Sequence, residues 1–283
     1  MSRRIQELYG RDTRDLTANW SSLAADAVCP FTGKRCAKFR KSAPGITIGT
    51  CIVGPGLFQR PLMICPHRML EKRRIFADAV HLLTVHEPGN DLHVVSEYSI
   101  PGGSVDYMLV SARKGKAVDF VGIEIQTLDT TGTVWPARER FMQSVGVPAD
   151  EVAVRATSPF GVNWKMSAKT ILVQLHHKLA TFEHVNRKLV LALQDDLLNY
   201  MRGEFSFGHL CSPASAGDPL HFHAYTIDDV GSRLEISLSE RVSTDEAGMA
   251  RALGLLATPN VELVEVLAGL QAKLNDSNRI ALA

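Results

Sequence analysis

The chain holds 283 residues, 45% of them hydrophobic, with a formal net charge of +1. That length and apolar content supply a core for one large domain, or for one domain with an appendage. No stretch approaches the roughly 18 uninterrupted apolar residues of a membrane span, and the opening MSRRIQELYGRDTRDL carries charges where a signal peptide needs an apolar run, so a cytoplasmic protein without membrane contact is expected.

The charge is unevenly placed. Residues 1–80 carry 14 Lys/Arg against 6 Asp/Glu, a local +8, whereas residues 195–283 carry 6 against 13, a local −7. Such a split suggests one face meant for a polyanion. Four of the five cysteines, Cys29, Cys36, Cys51 and Cys65, fall close together, with Cys29-Pro30 and Cys65-Pro66 suited to tight turns. In a reducing compartment such a cluster reads as metal ligation, because four thiolates satisfy a borderline cation and staple a segment with little core of its own. The gaps of 6, 14 and 13 residues lack the short knuckle of common zinc modules, and buried structural thiols are the plainer reading. Lys34, Arg35, Lys38, Arg40 and Lys41, then Arg68, Lys72, Arg73 and Arg74, interleave with the cluster and suit phosphate contacts. Residues 1–66 are taken as a basic N-terminal region with this four-cysteine site, and 67–283 as the core that follows.

Pro66 opens a predicted amphipathic helix over 66–84, with apolar Met69, Leu70, Ile75, Ala79, Leu82 and Leu83. EPGND is a turn, and three strands follow at 92–100, 104–112 and 117–128, parted by PGG and ARKGK, which reads as a meander. A helix is expected near 137–145 and a longer one, capped by Ser167, to about 185. A buried strand at 188–194, a helix in DDLLNYMR, strands at 221–227 and 233–242, and helices at 244–255 and 260–274 complete the order. The fold class is α/β, a mixed central sheet flanked by helices with the cysteine region as an N-terminal extension.

The chemistry concentrates in GGSVDYMLV and FVGIEIQTL. Along a strand, residues i and i+2 share a face, so Glu124 and Gln126 project together while Ile123 and Ile125 face the other way. A carboxylate amid VGIEI is costly to bury unless it is paired or binds a metal. If the strand bearing Asp106 pairs in register, two carboxylates converge to hold a hard divalent cation such as Mg²⁺, whose bound water can attack a phosphodiester.

Asp106…Glu124-x-Gln126 across a hairpin resembles the PD-(D/E)xK nuclease superfamily, with Gln where Lys is usual. The wider set, CPFTGKRC, SEYSIPGGSVDYMLV, GIEIQT and NWKMSAKT, resembles the NotI family of type II restriction endonucleases over roughly residues 25–200. The resemblance implies a homodimer that cuts a GC-rich palindrome in double-stranded DNA with Mg²⁺, as part of a restriction-modification system. It also implies iron rather than zinc on Cys29, Cys36, Cys51 and Cys65, a choice that spacing leaves open. Asp106 and Glu124 take the metal-ligand positions, Gln126 the usual lysine position, and Glu97 an additional acidic position of the site. Gln126 can hydrogen-bond but brings no charge.

Two other classes fit parts of the pattern: a non-catalytic DNA-binding protein with a structural metal module, and a repair nuclease without sequence specificity. His221 and His223 share a strand face but lack an acidic partner nearby in sequence, so they and the His176-His177 pair read as packing or surface residues. Trp164 and Lys165 suit either DNA contact or, for Trp164, core. Cys211 stands apart as a core or surface thiol. Neither a G-x-S-x-G elbow nor a phosphate-binding P-loop is present.

Overall fold

The three strands of the meander form one half of a six-stranded sheet. In the computed structural model, which describes residues 4–40, 42–54, 60–157, 159–231, 233–256, 262–274 and 279, these are β1 (Asp91–Ile100), β2 (Gly103–Arg113) and β3 (Lys116–Gln126). The remaining strands are β4 (Lys188–Gln194), β5 (Leu220–Val230) and β6 (Arg233–Thr244), and the spatial order is β6-β5-β4-β3-β2-β1. β4 runs parallel to both β3 and β5, while the hairpin pairs are antiparallel, which makes the sheet mixed. The β2–β3 turn places Lys114 and Gly115 at φ 50° and 73°, the paired left-handed geometry that matches strand twist in a two-residue hairpin.

Parallel neighbours require crossovers, and these carry the helices. Between β3 and β4 lie α1 (Trp135–Ser144), α2 (Glu151–Arg155) and the long α3 (Trp164–His184), and between β4 and β5 lies α4 (Asp195–Glu204). Period-2 alternation sorts the strand residues into two cores. On one face Met108, Leu189, Leu191, Leu193 and Phe222 pack under Leu172, Leu175, Leu179 and Phe182 of α3. On the other, Leu109, Val121, Ile123, Val190, Ala192 and Tyr225 meet Met69, Ile75, Phe76 and Leu82. The amino-terminal strands Ile5–Leu8, Arg11–Asp12, Thr50–Val53 and Leu62–Met63 form a smaller sheet. Its Ile5, Leu8 and Val53 belong to the α3-side core.

Two expected elements differ. The amphipathic stretch 66–84 is a broken series: a 3₁₀ segment Pro66–Arg73, a short α-helix Arg74–Ala79 and a 3₁₀ turn Val80–Leu82. The break is at Glu71–Arg73, where Glu71 is extended and Lys72 and Arg73 have φ of 50° and 56°. Glu71 there accepts from the Ile236 N–H, a tertiary bond that outweighs helical propensity, and pairs with Arg68 three residues back. The long helix α3 begins at Trp164, capped by Asn163, whose Oδ1 accepts from the Met166 N–H at 3.2 Å. Ser167, expected as the cap, is buried one turn inside and its hydroxyl accepts from the Asp129 N–H. The helix expected over 260–274 is Leu263–Gln271, with 260–261 outside the described residues. Among the described residues no helix is long and apolar enough to cross a membrane.

Candidate active site

The registers of β1, β2 and β3 set three carboxylates side by side. Ser96 pairs with Tyr107 and Tyr98 with Val105, so Glu97 lies across from Asp106. Tyr107 pairs with Ile123, and one step further along the same ladder Asp106 lies alongside Glu124. The three are near enough that Glu97 raises both Asp106 and Glu124, and Asp106 raises Glu124, so they form a row across the strands, with Glu124 on the side covered by α3, where it meets Lys178. Glu124 is 3% exposed, Asp106 is half-buried, and Glu97 opens to solvent. Glu97 also has φ 55°, a left-handed backbone that is costly for a non-glycine residue.

The row is held by bonds from the chain itself. The Ile125 N–H donates to Asp106 Oδ2 at 2.8 Å. Lys178 Nζ, reaching from α3, donates to Glu124 Oε1 at 2.6 Å, with both side chains buried. Burial pushes the Glu124 carboxyl up to about 7 against the pull of Lys178, with Asp106 and Glu97 adding repulsion. Burial likewise raises Asp106, opposed by the Ile125 N–H and Lys178 and reinforced by Glu97. Like charges this close favour shared protons or added cations.

Glycines explain how α3 approaches so closely. A Cβ on Gly122 would lie 2.3 Å from the Phe182 ring, and one on Gly102 would lie 2.2 Å from the His177 carbonyl oxygen. Gly102 has φ 95° as well, so the PGG turn is specified twice, by conformation and by space. Thr181 Oγ1 donates to the Pro101 carbonyl at 2.9 Å and ties the hairpin tip to the helix.

The residues singled out from sequence are thus partly assembled. Glu97, Asp106 and Glu124 come together; the half-exposed Gln126 turns its Nε2 to the Thr127 carbonyl at 2.6 Å. Lys178 was missed. Its only sequence signal is its place in the helical stripe beside Leu175, Leu179 and Phe182, where a lysine is out of pattern.

Cys29, Cys36, Cys51 and Cys65 line one small cavity with Tyr9, Gly49 and His67. A hydrogen bond from Cys51 draws the Cys65 thiol down to about 6, against burial and with help from Lys38, while that shared proton and burial push Cys51 upward. Lys38 Nζ, itself lowered by burial, donates to the Ile64 carbonyl at 2.6 Å. The donor set therefore favours thiolate on at least one sulfur. Among the described residues, however, no group of three or more His, Cys, Asp or Glu stands in a metal-ligating arrangement, here or at the carboxylates.

The charge split in the sequence is partly offset in space. Arg14 pairs with Asp229, Arg60 with Asp195 and Asp196, and Lys72 and Arg74 with Glu235. Arg68 is 1% exposed and bonded to Glu7, Glu71 and the Leu234 carbonyl, and Arg40 pairs with Asp150 over the Trp135 ring. Basic amino-terminal residues thus dock onto acidic carboxy-terminal ones, and several cations expected to meet phosphate are committed internally. Lys34, Arg35 and Arg73 remain exposed, and Lys41 lies outside the described residues. His221 and His223 are buried, held down to about 4 and about 3 chiefly by burial. Trp164 packs against Tyr200 with ring centroids 5.7 Å apart, and Cys211 is exposed.

The mixed sheet thus carries a group of carboxylates with one lysine bonded to it. A family model described as restriction endonuclease NotI matches residues 20–208, about two thirds of the chain, and the chain belongs to that family of DNA-cleaving enzymes. No curated protein matches the sequence at the level that marks a relative.

Proposed function

We propose that this chain is a Mg²⁺-dependent type II restriction endonuclease of the PD-(D/E)xK kind, acting as a homodimer in the cytoplasm on a GC-rich palindrome in double-stranded DNA. The observation that carries the reading is the row Glu97–Asp106–Glu124 on adjacent strands. Carboxylate oxygens are the donors a hard divalent cation takes, and Asp106 and Glu124, with Glu97 at the solvent-open end, supply that donor chemistry. Asp106 and Glu124 would hold a magnesium ion, which would supply charge neutralisation at the scissile phosphate and a water of lowered pKa. The protein's own part is to fix the two carboxylates: Ile125 N–H aims Asp106, and Lys178 aims Glu124. Preset orientation of this kind accelerates reaction because no reorganisation is needed as charge develops.

A twofold dimer sets two such sites across a palindrome. Four thiols around one cavity, one of them drawn toward thiolate, fit the soft ligand set of iron or zinc, and a metal there would pin the amino-terminal strands. Incubating plasmid with the protein in Mg²⁺ or in EDTA tests the reading. Discrete fragments in Mg²⁺ alone support it. A mobility shift without cutting supports a DNA-binding module instead, and a smear supports a nuclease without sequence preference. Elemental analysis of protein purified without added metal separates iron, zinc and none.

A further inference from the structure

We propose that Lys178 is the cation of this site, a positioning residue on α3 that does the work of the lysine absent at Gln126. The inference rests on the nuclease reading above. Position 126 contributes no charge, and its amide donates to the Thr127 carbonyl. Lys178 comes from the opposite layer, is 5% exposed, and places Nζ 2.6 Å from Glu124 Oε1. It is the one basic group bonded to the row among the described residues.

The surroundings are shaped for it. The hairpin that carries Glu97 and Asp106 closes over the helix through Gly102 and Gly103. A side chain at Gly102 would strike the His177 carbonyl, and a Cβ at Gly103 would lie 3.2 Å from Lys178 Cε. The bond from Thr181 to the Pro101 carbonyl fixes that closure. Phe182, one turn along, fills the space left by Gly122 and sets how deep the helix sits. A buried lysine is expensive unless paired, and here the partner is one of three aligned carboxylates. One ammonium cannot neutralise three carboxylates, so the row keeps room for further positive charge while Lys178 fixes the rotamer of Glu124. A lysine two residues beyond Glu124 on the same strand face would reach the same carboxylate, which makes positions 126 and 178 alternative origins for one charge.

The proposal predicts that the lysine can be moved. Lys178→Met should lose at least 100-fold in Mg²⁺-dependent cleavage, and Gln126→Lys added to it should restore at least 10-fold. Binding of a labelled mixed-sequence DNA duplex, measured in EDTA by fluorescence anisotropy, gives a readout free of metal and of any known cleavage site. There Lys178→Met should weaken binding about 3- to 10-fold through unscreened carboxylates, and the double variant should recover it. Should Lys178→Met fail to fold, the double variant still decides. A folded double variant with neither cleavage nor recovered affinity overturns the proposal, as does a folded Lys178→Met that cuts within 3-fold of wild type. Absence of any cutting by the wild type would instead count against the nuclease reading, leaving the affinity comparison to judge Lys178.

Discussion

Two buried carboxylates in this molecule, Glu7 and Glu124, are alike in isolation and different in company. Each is almost wholly enclosed, each faces one cation, and each is pushed up to about 7 by burial. Glu7 meets Arg68, whose guanidinium also takes Glu71 and the Leu234 carbonyl and lies 5.0 Å from the Phe31 ring centre. That arginine joins the amino-terminal strand, the 3₁₀ segment and β6, pairing with Glu7 and Glu71 and donating to the Leu234 carbonyl. Glu124 meets Lys178 but stands in a row with Asp106 and the exposed Glu97. A raised pKa by itself therefore marks burial. Function is marked by like charges left uncompensated beside an opening to solvent.

Substitutions should separate the two pairs. The largest expected effect is at the first: Arg68→Met leaves Glu7 and Glu71 without their cation and should cost about 3–5 kcal/mol, seen in denaturant unfolding, while cleavage per folded molecule stays near wild type. A comparable loss of activity without loss of stability would show that Arg68 belongs to the site after all.

The buried histidines sharpen the comparison, since they show burial acting with the opposite sign. Held near 4 and 3 in the fold, His221 and His223 stay neutral while the unfolded chain takes up protons below its ordinary histidine pKa of about 6.5. Their contribution is present above 6.5 and is lost as pH falls toward 4. Glu7 and Glu124 act the other way, gaining stability as pH drops from about 7 toward 4.5. Removing one histidine by His223→Leu should therefore make acidification from pH 6.5 to 5 less damaging than in wild type by about 2 kcal/mol, measured by paired melts at the two pH values. No difference in pH response would mean that His223 is protonated or solvated in the fold.

A smaller effect is expected at the hairpin. Gly102→Ala must push against the His177 carbonyl in a left-handed backbone and should cost about 1–3 kcal/mol. Because the strain falls where the turn meets Lys178, cleavage should drop by more than the stability change explains, leaving the Glu7–Arg68 staple untouched. An unchanged cleavage rate would show that hairpin closure does not position the row.

How much of this was legible in the sequence follows from how local each feature is. The meander and the pairing of Asp106 with Glu124 were readable because alternation and turn residues act within a few positions: VGIEI announces an inward carboxylate, and PGG a turn. Glu97 was legible only through resemblance, since SEYSI looks like an ordinary edge strand. Lys178 was hidden because it stands 54 residues from Glu124 on a helix whose packing against the sheet no local pattern reveals. The break at Glu71–Arg73 and the capping by Asn163 in place of Ser167 were set by distant partners. That some cations of the basic end pair with acids of the other end was hidden for the same reason: Arg14, Arg60, Lys72 and Arg74 meet partners more than 130 residues away.

The central claim is that the carboxylate row is the cleaving centre, and Asp106→Asn tests it most directly. The substitution keeps shape, and its Oδ1 can still accept from the Ile125 N–H, so fold and DNA affinity should persist. Cleavage of plasmid in Mg²⁺, with affinity measured in parallel, is predicted to fall at least 100-fold while duplex binding stays within about 3-fold. A folded Asp106→Asn protein that cuts at the wild-type rate would contradict the account.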